Sequence, residues 1–266
     1  MMRVKSGECV SEGSSLTHSL IDFLYIRKTR STMIVAKDIL KKCKKLVIIA
    51  GHQTRGVGRR GRTWSSPPGG LWFSLVLKLH IPAHVVPFLS LAMALSVAEA
   101  LRSKGLNAWI KWPNDVVVDG KKICGVLADV KISHENIAYT ILGVGINTNF
   151  YLRNLPTELQ NTAVTVFEIL GFKLDNIELL DEVMHRFEKY IAYLKNEFVH
   201  VIRKEMEKIL YGKDEEVVAI CEKGVFKGIL KGIGLSGSLL LETKDGIKEI
   251  ESSSLKKLLV KTLHSF

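Results

Sequence analysis

Apolar and polar positions divide the first half of the chain into short strands and two helices. Residues 21–26, 46–50 and 71–79 are short apolar runs that predict strands, and three- and four-residue spacing over residues 32–45 predicts a helix. Residues 87–104 are apolar on nearly every face and stop at Gly105, which predicts a buried helix. Residues 81–101 could be read as a membrane span, but Pro82, Pro87 and Glu99 favour a core helix.

A hairpin and two further helices follow. Residues 108–111, 116–118, 123–130 and 136–147 predict strands, and Asp119-Gly120 is a two-residue turn signal joining the second to the third. Asp175 and Glu178 form a candidate capping box. The helix behind it carries its apolar face on Ile177, Leu180, Met184, Phe187, Ile191 and Leu194. Residues 199–210 predict a second helix.

Short β runs return beyond residue 215. They are broken by Gly224, Gly228, Gly232, Gly234, Gly237 and Gly246, which predicts a small barrel or sheet. We therefore predict an α+β fold with two domains. Residues 1–213 would form a mixed β-sheet with flanking helices, and residues 214–266 a small C-terminal β domain.

Composition is that of an ordinary globular protein with a strong positive charge. Of 266 residues, 47% are hydrophobic and 24% charged, and the formal net charge is +11. This charge suits nucleic acid, nucleotide phosphates, an acidic protein or a membrane surface, and does not choose among them. Four scattered cysteines (Cys9, Cys43, Cys124 and Cys221) argue against a structural zinc site or a disulfide framework. The polar segment 1–19 has no apolar core, so we expect a cytoplasmic protein without a secretory signal.

The segment QTRGVGRRGRTWSSPPGG, residues 53–70, is the richest in candidate chemistry. Gly56, Gly58 and Gly61 satisfy GxGxxG, but no helix opens after the third glycine, so a dinucleotide fold is disfavoured. What remains is a flexible loop in which guanidinium groups and glycine backbone N–H groups could bind phosphate or carboxylate oxygens. Trp64 offers a face for a base. A solvated basic loop, or one touching nucleic-acid phosphates, is the alternative.

Two other segments are weaker taken alone. In KWPNDVVVDGKKICGV, residues 111–126, Asp115 and Lys122 lie on adjoining strands and could face one pocket, although spacing alone favours a surface ion pair. In LGVGINTN, residues 142–149, Gly143 and Gly145 leave room for a close approach. Asn147 is a candidate ligand contact or a strand-end cap.

Together, in this order and spacing, the three segments resemble the biotin–protein ligase family, clearly over about residues 20–150. The resemblance implies a catalytic domain like that of class II aminoacyl-tRNA synthetases, with an SH3-like C-terminal domain. It also implies a two-step reaction. Biotin is first activated by Mg-ATP to biotinyl-5′-AMP, and the biotinyl group then passes to a lysine of a biotin carboxyl carrier domain. Magnesium would be carried by ATP without protein ligands, and no cofactor would stay bound.

The resemblance also implies roles for individual residues. Biotin contacts fall on Ser31, Thr32, Gln53, Val57, Gly58, Arg59, Lys122 and Gly125. ATP or adenylate contacts fall on Arg59, Arg62, Trp64, Asn114 and Asn147. Arg59, Asp115 and Lys122 take part in the reaction, Asp115 by handling the incoming lysine. Met33 departs from the family, which has asparagine there, and a thioether cannot hydrogen-bond the ureido ring of biotin.

Two rival functions stay open from the sequence. A lipoate ligase or octanoyltransferase would share the fold, although the arginine loop and KWPND favour biotin. A non-catalytic nucleic-acid-binding module would account for the charge. Only about 20 residues precede the first predicted strand, too few to fold alone, so we expect no DNA binding and no repressor function. A homodimer is expected from the family, and no membrane association.

Overall fold

The computed structural model describes residues 22–40, 45–79, 81–133 and 136–261. Outside these residues lie Cys9, Cys43, the polar segment 1–19, and parts of the predicted first strand (Ile21) and first helix (residues 41–44).

Within the described ranges the chain forms fourteen strands and six α-helices. The strands are β1 Asp22–Ile26, β2 Lys45–Ala50, β3 Gln53–Val57, β4 Thr63–Ser66, β5 Leu71–Leu77, β6 Ala108–Lys111, β7 Asp115–Val118, β8 Lys121–Ser133, β9 Asn136–Ile146, β10 Glu216–Cys221, β11 Gly224–Ile233, β12 Leu239–Thr243, β13 Gly246–Ile250 and β14 Leu255–Val260. The helices are α1 Thr32–Ile39, α2 Val86–Ser103, α3 Thr157–Gln160, α4 Val166–Leu170, α5 Asn176–Lys195 and α6 Val199–Lys208. Short 3-10 turns occur at Arg59–Gly61, Ala83–Val85 and Leu152–Asn154.

A seven-stranded mixed sheet is the centre of the molecule. Its strand order is β1-β2-β5-β9-β8-β7-β6, with β1 and β2 parallel and every other pair antiparallel. A five-stranded antiparallel sheet of order β13-β12-β11-β10-β14 follows, and β3 and β4 form a separate two-stranded sheet. The structure is therefore α+β, as predicted.

The two faces of the large sheet bury different partners. Side chains that alternate along β2 and β5, such as Val47, Phe73 and Leu75, join the main core with α2 and α5. On the other face, Leu46, Ile48, Val76 and Ile141 pack on α1 through Met33 and Ala36. Alternation of side chains along a strand explains this division. The second face is covered by α1 in one part and by Phe150, Leu155 and Ala163, which pack with Ala50 and Trp72, in another, and it also carries the site.

The five-stranded sheet shares the main core. Leu230, Ile233 and Leu241 belong to the same buried cluster as α2. The Trp112 indole N–H donates to the Gly237 carbonyl at 3.0 Å and joins the two sheets. The predicted C-terminal β domain therefore shares the main core, and the boundary near residue 213 stays a prediction.

Helix α2 is a core helix, as its pattern predicted. The segment Ala83–Ser103 is long and apolar enough to cross a membrane, but 72% of its 18-residue apolar window is buried inside the fold. Burial against the sheet and against α5 accounts for its apolar character.

Three sequence predictions need correction. Residues 51–70 are not one long loop, because β3 and β4 pair within them from Gln53↔Ser66 to Val57↔Thr63. The polar, glycine-rich composition hid this hairpin, because its buried positions, Gln53, Gly56 and Ser66, are polar or glycine and create no apolar alternation. The Asp175 side chain caps α5, but Glu178 pairs with Lys104 at 2.6 Å instead of returning to Asp175. The hairpin strand predicted over residues 123–130 is longer, Lys121–Ser133.

Candidate active site

A chain of buried hydrogen bonds closes one end of the site. The Ser74 hydroxyl donates to Thr32 Oγ1 at 2.7 Å, and the Thr32 backbone N–H donates to Gln53 Oε1 at 2.8 Å. The Gln53 amide then donates to Ser66 Oγ at 2.8 Å. Ser31 caps α1 and accepts from the Met33 N–H, so the start of α1 is fixed beside β3. Ser66 and Ser74 were missed from the sequence, because nothing in their spacing links them to Gln53 or Thr32.

Glycines form the floor of the site. A Cβ added to Gly143 would lie 2.6 Å from Met33 Sδ, and one added to Gly145 would overlap the Trp64 indole. Gly125, paired with Gly145 across β8 and β9, would place a Cβ 3.0 Å from Trp64. The close approach predicted at Gly143 and Gly145 is thus made by the protein's own side chains. The glycine floor consists of Gly125, Gly143 and Gly145.

Met33, where the family has asparagine, packs in an apolar setting. It is buried with Ala36 and Ile141. It also lines a cavity of about 310 Å³, whose other lining residues are Ile34, Lys37, Val57, Leu127, Ala128, Asp129 and Val130. Val57 is partly exposed at its rim, and Gly58 donates its N–H to the Arg62 carbonyl at 2.7 Å, which closes the hairpin tip.

A cation and a carboxylate lie at the other end of the floor. Lys122 Nζ is 2.7 Å from Asp115 Oδ1, an ion pair without the direction of a full hydrogen bond. The ammonium also lies 5.0 Å from the Trp64 ring centroid, over its face. The Trp64 N–H is buried and has no hydrogen-bond partner among the described residues. The predicted ion pair between Asp115 and Lys122 is therefore present.

Arg59 is held between two parts of the chain that are far apart in sequence. Its Nη1 donates to Asn114 Oδ1 at 3.0 Å and its Nη2 donates to the Ser252 carbonyl at 2.6 Å. Burial lowers the pKa of Arg59, partly opposed by Asp115. An anion close to this partly buried guanidinium would stabilise its charged form.

The rest of the arginine-rich tip contacts the smaller sheet. Arg60 donates to the Ser253 carbonyl at 2.5 Å and pairs with Glu222 at 3.0 Å. Arg62 is exposed, and its Nε donates to the Arg59 carbonyl at 3.3 Å. Sequence reasoning missed the partners Glu222, Ser252 and Ser253.

Two predicted adenylate contacts act here as supports. The Asn147 amide donates to the Lys122 carbonyl at 3.3 Å and to the Val164 carbonyl at 3.1 Å. The Asn114 amide donates to the Val126 carbonyl at 2.6 Å. Both side chains fix the backbone around Lys122 and Arg59, and Asn114 adds an acceptor for the guanidinium.

Lys111 is a further charged residue near Asp115 and Lys122 that sequence reasoning missed. Burial lowers its pKa, Asp115 opposes that change, and the nearby cations Lys257 and Lys122 add to it. Lys257 belongs to β14, so only the folded chain brings this cation close. Cys124 lies on the same hairpin, but burial raises the pKa of its thiol, which makes it a poor nucleophile. Among the described residues, no cluster of His, Cys, Asp and Glu could hold a metal ion.

Known proteins resemble this chain in sequence and in structure. The family described as "Biotin/lipoate A/B protein ligase family" matches residues 25–147. The bifunctional ligase/repressor BirA of Bacillus subtilis is 30% identical over 96% of this chain and 83% of that protein. The biotin–[acetyl-CoA-carboxylase] ligase of Paracoccus denitrificans is 29% identical over 78% of this chain and 88% of that protein.

A solved structure agrees over most of the fold. The biotin protein ligase from Aquifex aeolicus, in complex with biotin and ATP, is 32% identical with a TM-score of 0.76. The match covers 90% of this chain and 98% of that one, so it includes both sheets. By sequence, by fold and by the residues assembled on the glycine floor, the chain belongs to the biotin–protein ligase family.

Proposed function

We propose that the chain converts biotin and ATP to biotinyl-5′-AMP and transfers the biotinyl group to a lysine of a biotin carboxyl carrier domain. One observation carries this proposal. A buried, uncharged hydrogen-bonding end at Thr32 and Gln53 is joined by the glycine floor to a cationic end at Lys122 and Arg59. Biotin has the matching polarity, with a neutral ureido ring at one end and a carboxylate at the other.

In this orientation each end of biotin has a partner. Ser31, Thr32 and Gln53 would face the ureido ring, and Val57 and Gly58 would cover it from the hairpin. The Gly125 position would let the acyl chain pass beside Trp64, where an added Cβ would lie only 3.0 Å from the indole. The carboxylate would reach Lys122. The ammonium would then pair with the ligand as well as with Asp115, and its contact with Asp115 would weaken.

The first step joins two anions. A carboxylate oxygen of biotin attacks the α-phosphorus of ATP, the bond from that phosphorus to the bridging oxygen breaks, and pyrophosphate leaves with the electron pair. Fixed cations lower this barrier, because they need no reorganisation as charge develops. Lys122 would neutralise the attacking carboxylate, and Arg59 and Arg62 the phosphates. Magnesium would arrive on the ATP phosphates. The partly exposed Trp64 would stack on adenine, with Asn114 and Asn147 holding the surrounding backbone.

The second step needs a neutral amine. The carrier lysine attacks the acyl carbon, the bond from that carbon to the phosphate oxygen breaks, and AMP leaves. The attacking nitrogen must lose protons on the way. Asp115 is the carboxylate beside Lys122, so it would attract the incoming ammonium and accept a proton.

The test is direct biotinylation of a recombinant carrier domain. With ATP and biotin, mass spectrometry should find one biotin on the target lysine, and a carrier with that lysine changed to arginine should stay unmodified. No modification of the intact carrier under any ATP and biotin concentration would refute the proposal. A homodimer and the absence of DNA binding stay predictions, to be measured by sedimentation and by gel shift.

A further inference from the structure

One stretch of the sequence contains almost no acidic residues. Asp38 is the one acidic residue between Asp22 and Glu99, although that stretch carries many Lys and Arg residues. Four cations within it, Arg27, Lys28, Arg30 and Arg55, are exposed. The active-site chemistry described above uses none of them.

The backbone brings these four cations onto one ribbon. The segment after β1 pairs with the start of β3, since the Thr29 N–H donates to the His52 carbonyl at 3.1 Å and the Thr54 N–H donates to the Thr29 carbonyl at 2.9 Å. The Arg55 N–H donates to the Arg30 carbonyl at 2.8 Å. We call Arg27, Lys28, Arg30 and Arg55 the basic ribbon.

The basic ribbon lacks acidic partners. Within the described part of the chain, none of its four side chains forms an ion pair, whereas Lys37, Lys45 and Lys104 each do. Exposed like charges on adjacent segments repel one another, so the arrangement stays unfavourable until an anion approaches. The basic ribbon is therefore suited to an external acidic partner.

A cleft lined by both apolar and cationic side chains adjoins the basic ribbon. Its volume is about 560 Å³, and Arg27, Lys28, His52 and Ile49 are among the residues that line it. Tyr25 and Ile177, at its sides, are 49% and 48% exposed. Tyr25 packs over Gly51, where an added Cβ would lie 2.7 Å from the phenol oxygen, so the ring is held in place. Exposed aromatic and arginine side chains together are typical of protein interfaces.

The position of the basic ribbon relates it to the reaction. Arg30 directly precedes Ser31, and Arg55 lies two residues after Gln53. A partner on the basic ribbon would thus lie beside the end of the site proposed for the ureido ring, and its lysine would extend from there to the acyl carbon beside Lys122. A free lysine is itself a cation and would be repelled there, whereas a lysine surrounded by carboxylates would be attracted.

We propose that the basic ribbon and its cleft bind the carrier domain through an acidic surface beside the target lysine. This inference rests on the proposed function. The exposed side chains of Tyr25 and Ile177 favour a folded protein over a nucleic-acid backbone, because phosphates would leave both without an apolar partner. The carboxylates increase the rate of encounter and exclude lysines in neutral or basic surroundings.

The test is charge reversal by Arg27→Glu/Lys28→Glu. The matched control is Lys195→Glu/Lys244→Glu, which changes net charge equally at exposed sites elsewhere. Biotin-dependent ATP–pyrophosphate exchange should be unchanged in both variants. Transfer to a recombinant carrier domain should lose about tenfold or more in kcat/KM in the first variant only, mostly through KM. The difference should shrink from ~50 mM to ~300 mM salt because of screening.

A modified carrier gives a second, independent measurement. In this carrier the acidic residues around the target lysine are changed to amides. The wild-type enzyme should modify it as slowly as the Arg27→Glu/Lys28→Glu enzyme modifies the intact carrier. The same carrier with lysines at those positions should recover activity with the Arg27→Glu/Lys28→Glu variant. If the variant loses exchange, Arg27→Gln/Lys28→Gln replaces it in the same comparisons.

Other outcomes would overturn the inference. Equal transfer rates for the charge-reversed variant and its control would remove the basic ribbon from carrier recognition. Loss of binding to a duplex DNA, with transfer unaffected, would assign the basic ribbon to nucleic acid. Absence of exchange in the wild type would instead refute the proposed function, so the two failures are distinguishable.

Discussion

Individual side chains in the site are held mainly by one another. Thr32 and Gln53 complete a chain of hydrogen bonds that runs from Ser74 to Ser66, and Lys122 rests against Asp115 and Trp64. Such mutual support orients polar groups before the ligand arrives and reduces the entropy lost on binding. The family resemblance selected Gln53, Asp115 and Lys122 as candidates, whereas spacing alone favoured a surface ion pair for the last two. Neither identified Ser66 and Ser74, which matter only through contacts made in the fold.

At the residue scale, Lys122→Ala should impair adenylation severely. It removes the cation next to the biotin carboxylate, at an expected cost of about 2–4 kcal/mol in transition-state stabilisation, by analogy with a lost oxyanion donor. This corresponds to a reduction of about thirtyfold to a thousandfold in ATP–pyrophosphate exchange. Lys121→Ala, an exposed neighbour on the same strand, is the control and should change little. A change of less than about threefold for Lys122→Ala would leave the residue as a surface ion pair.

Met33→Asn tests the position that departs from the family. The new amide could supply one neutral hydrogen bond to the ureido ring, so biotin should bind equally or more tightly by up to ~1.5 kcal/mol. Because Met33 is buried against Ala36 and Ile141, the free energy of unfolding should fall by about 1–3 kcal/mol. Calorimetric binding and thermal unfolding measure the two effects, with Met33→Leu as an apolar control. Weakening of biotin binding by more than ~1.5 kcal/mol would mean that the thioether itself shapes the pocket.

At the scale of elements, the hairpin β3–β4 spans the site and ends on the smaller sheet. Arg59 and Arg60 contact the Ser252–Ser253 turn, and Arg60 also pairs with Glu222. These contacts lie nearly 200 positions away in the chain, with Arg59 and Ser252 separated by 193 residues, so no local pattern could predict them. The hairpin itself was hidden for a local reason, since its strands carry glycine and arginine where a buried strand would alternate.

Arg59→Gly should separate formation of the adenylate from its retention. The variant loses the bonds to Asn114 and Ser252 that hold the hairpin over the site, but it keeps Lys122. The adenylate should still form and then escape, labelling lysines of serum albumin more than the wild type does. Arg55→Gly, the same substitution at an exposed position of the hairpin, is the control and should label albumin no more than the wild type does.

Two results would contradict this view of the hairpin. If Arg59→Gly abolishes exchange, the guanidinium is required for the chemistry itself. If exchange persists while albumin labelling stays at the wild-type level, the hairpin does not retain the intermediate.

At the scale of the whole molecule, the chain is organised around one continuous core. Helix α2 belongs to the same buried core as residues of both sheets. The indole N–H of Trp112, directly after β6, donates to the Gly237 carbonyl between β11 and β12. Hydrophobic periodicity predicted most strands and the long helices, because burial of one face enforces it. It could not predict that the C-terminal sheet would share this core, since periodicity shows that a face is buried but not against which partner.

The central claim is that this site activates biotin, and ATP–pyrophosphate exchange measures that step without a carrier. With labelled pyrophosphate, exchange into ATP should require biotin and should not occur with lipoate or octanoate offered separately. Lys122→Ala should abolish most of the signal, which would tie it to the site described here. Equal exchange with lipoate, or exchange that does not depend on any added acid, would contradict the claim.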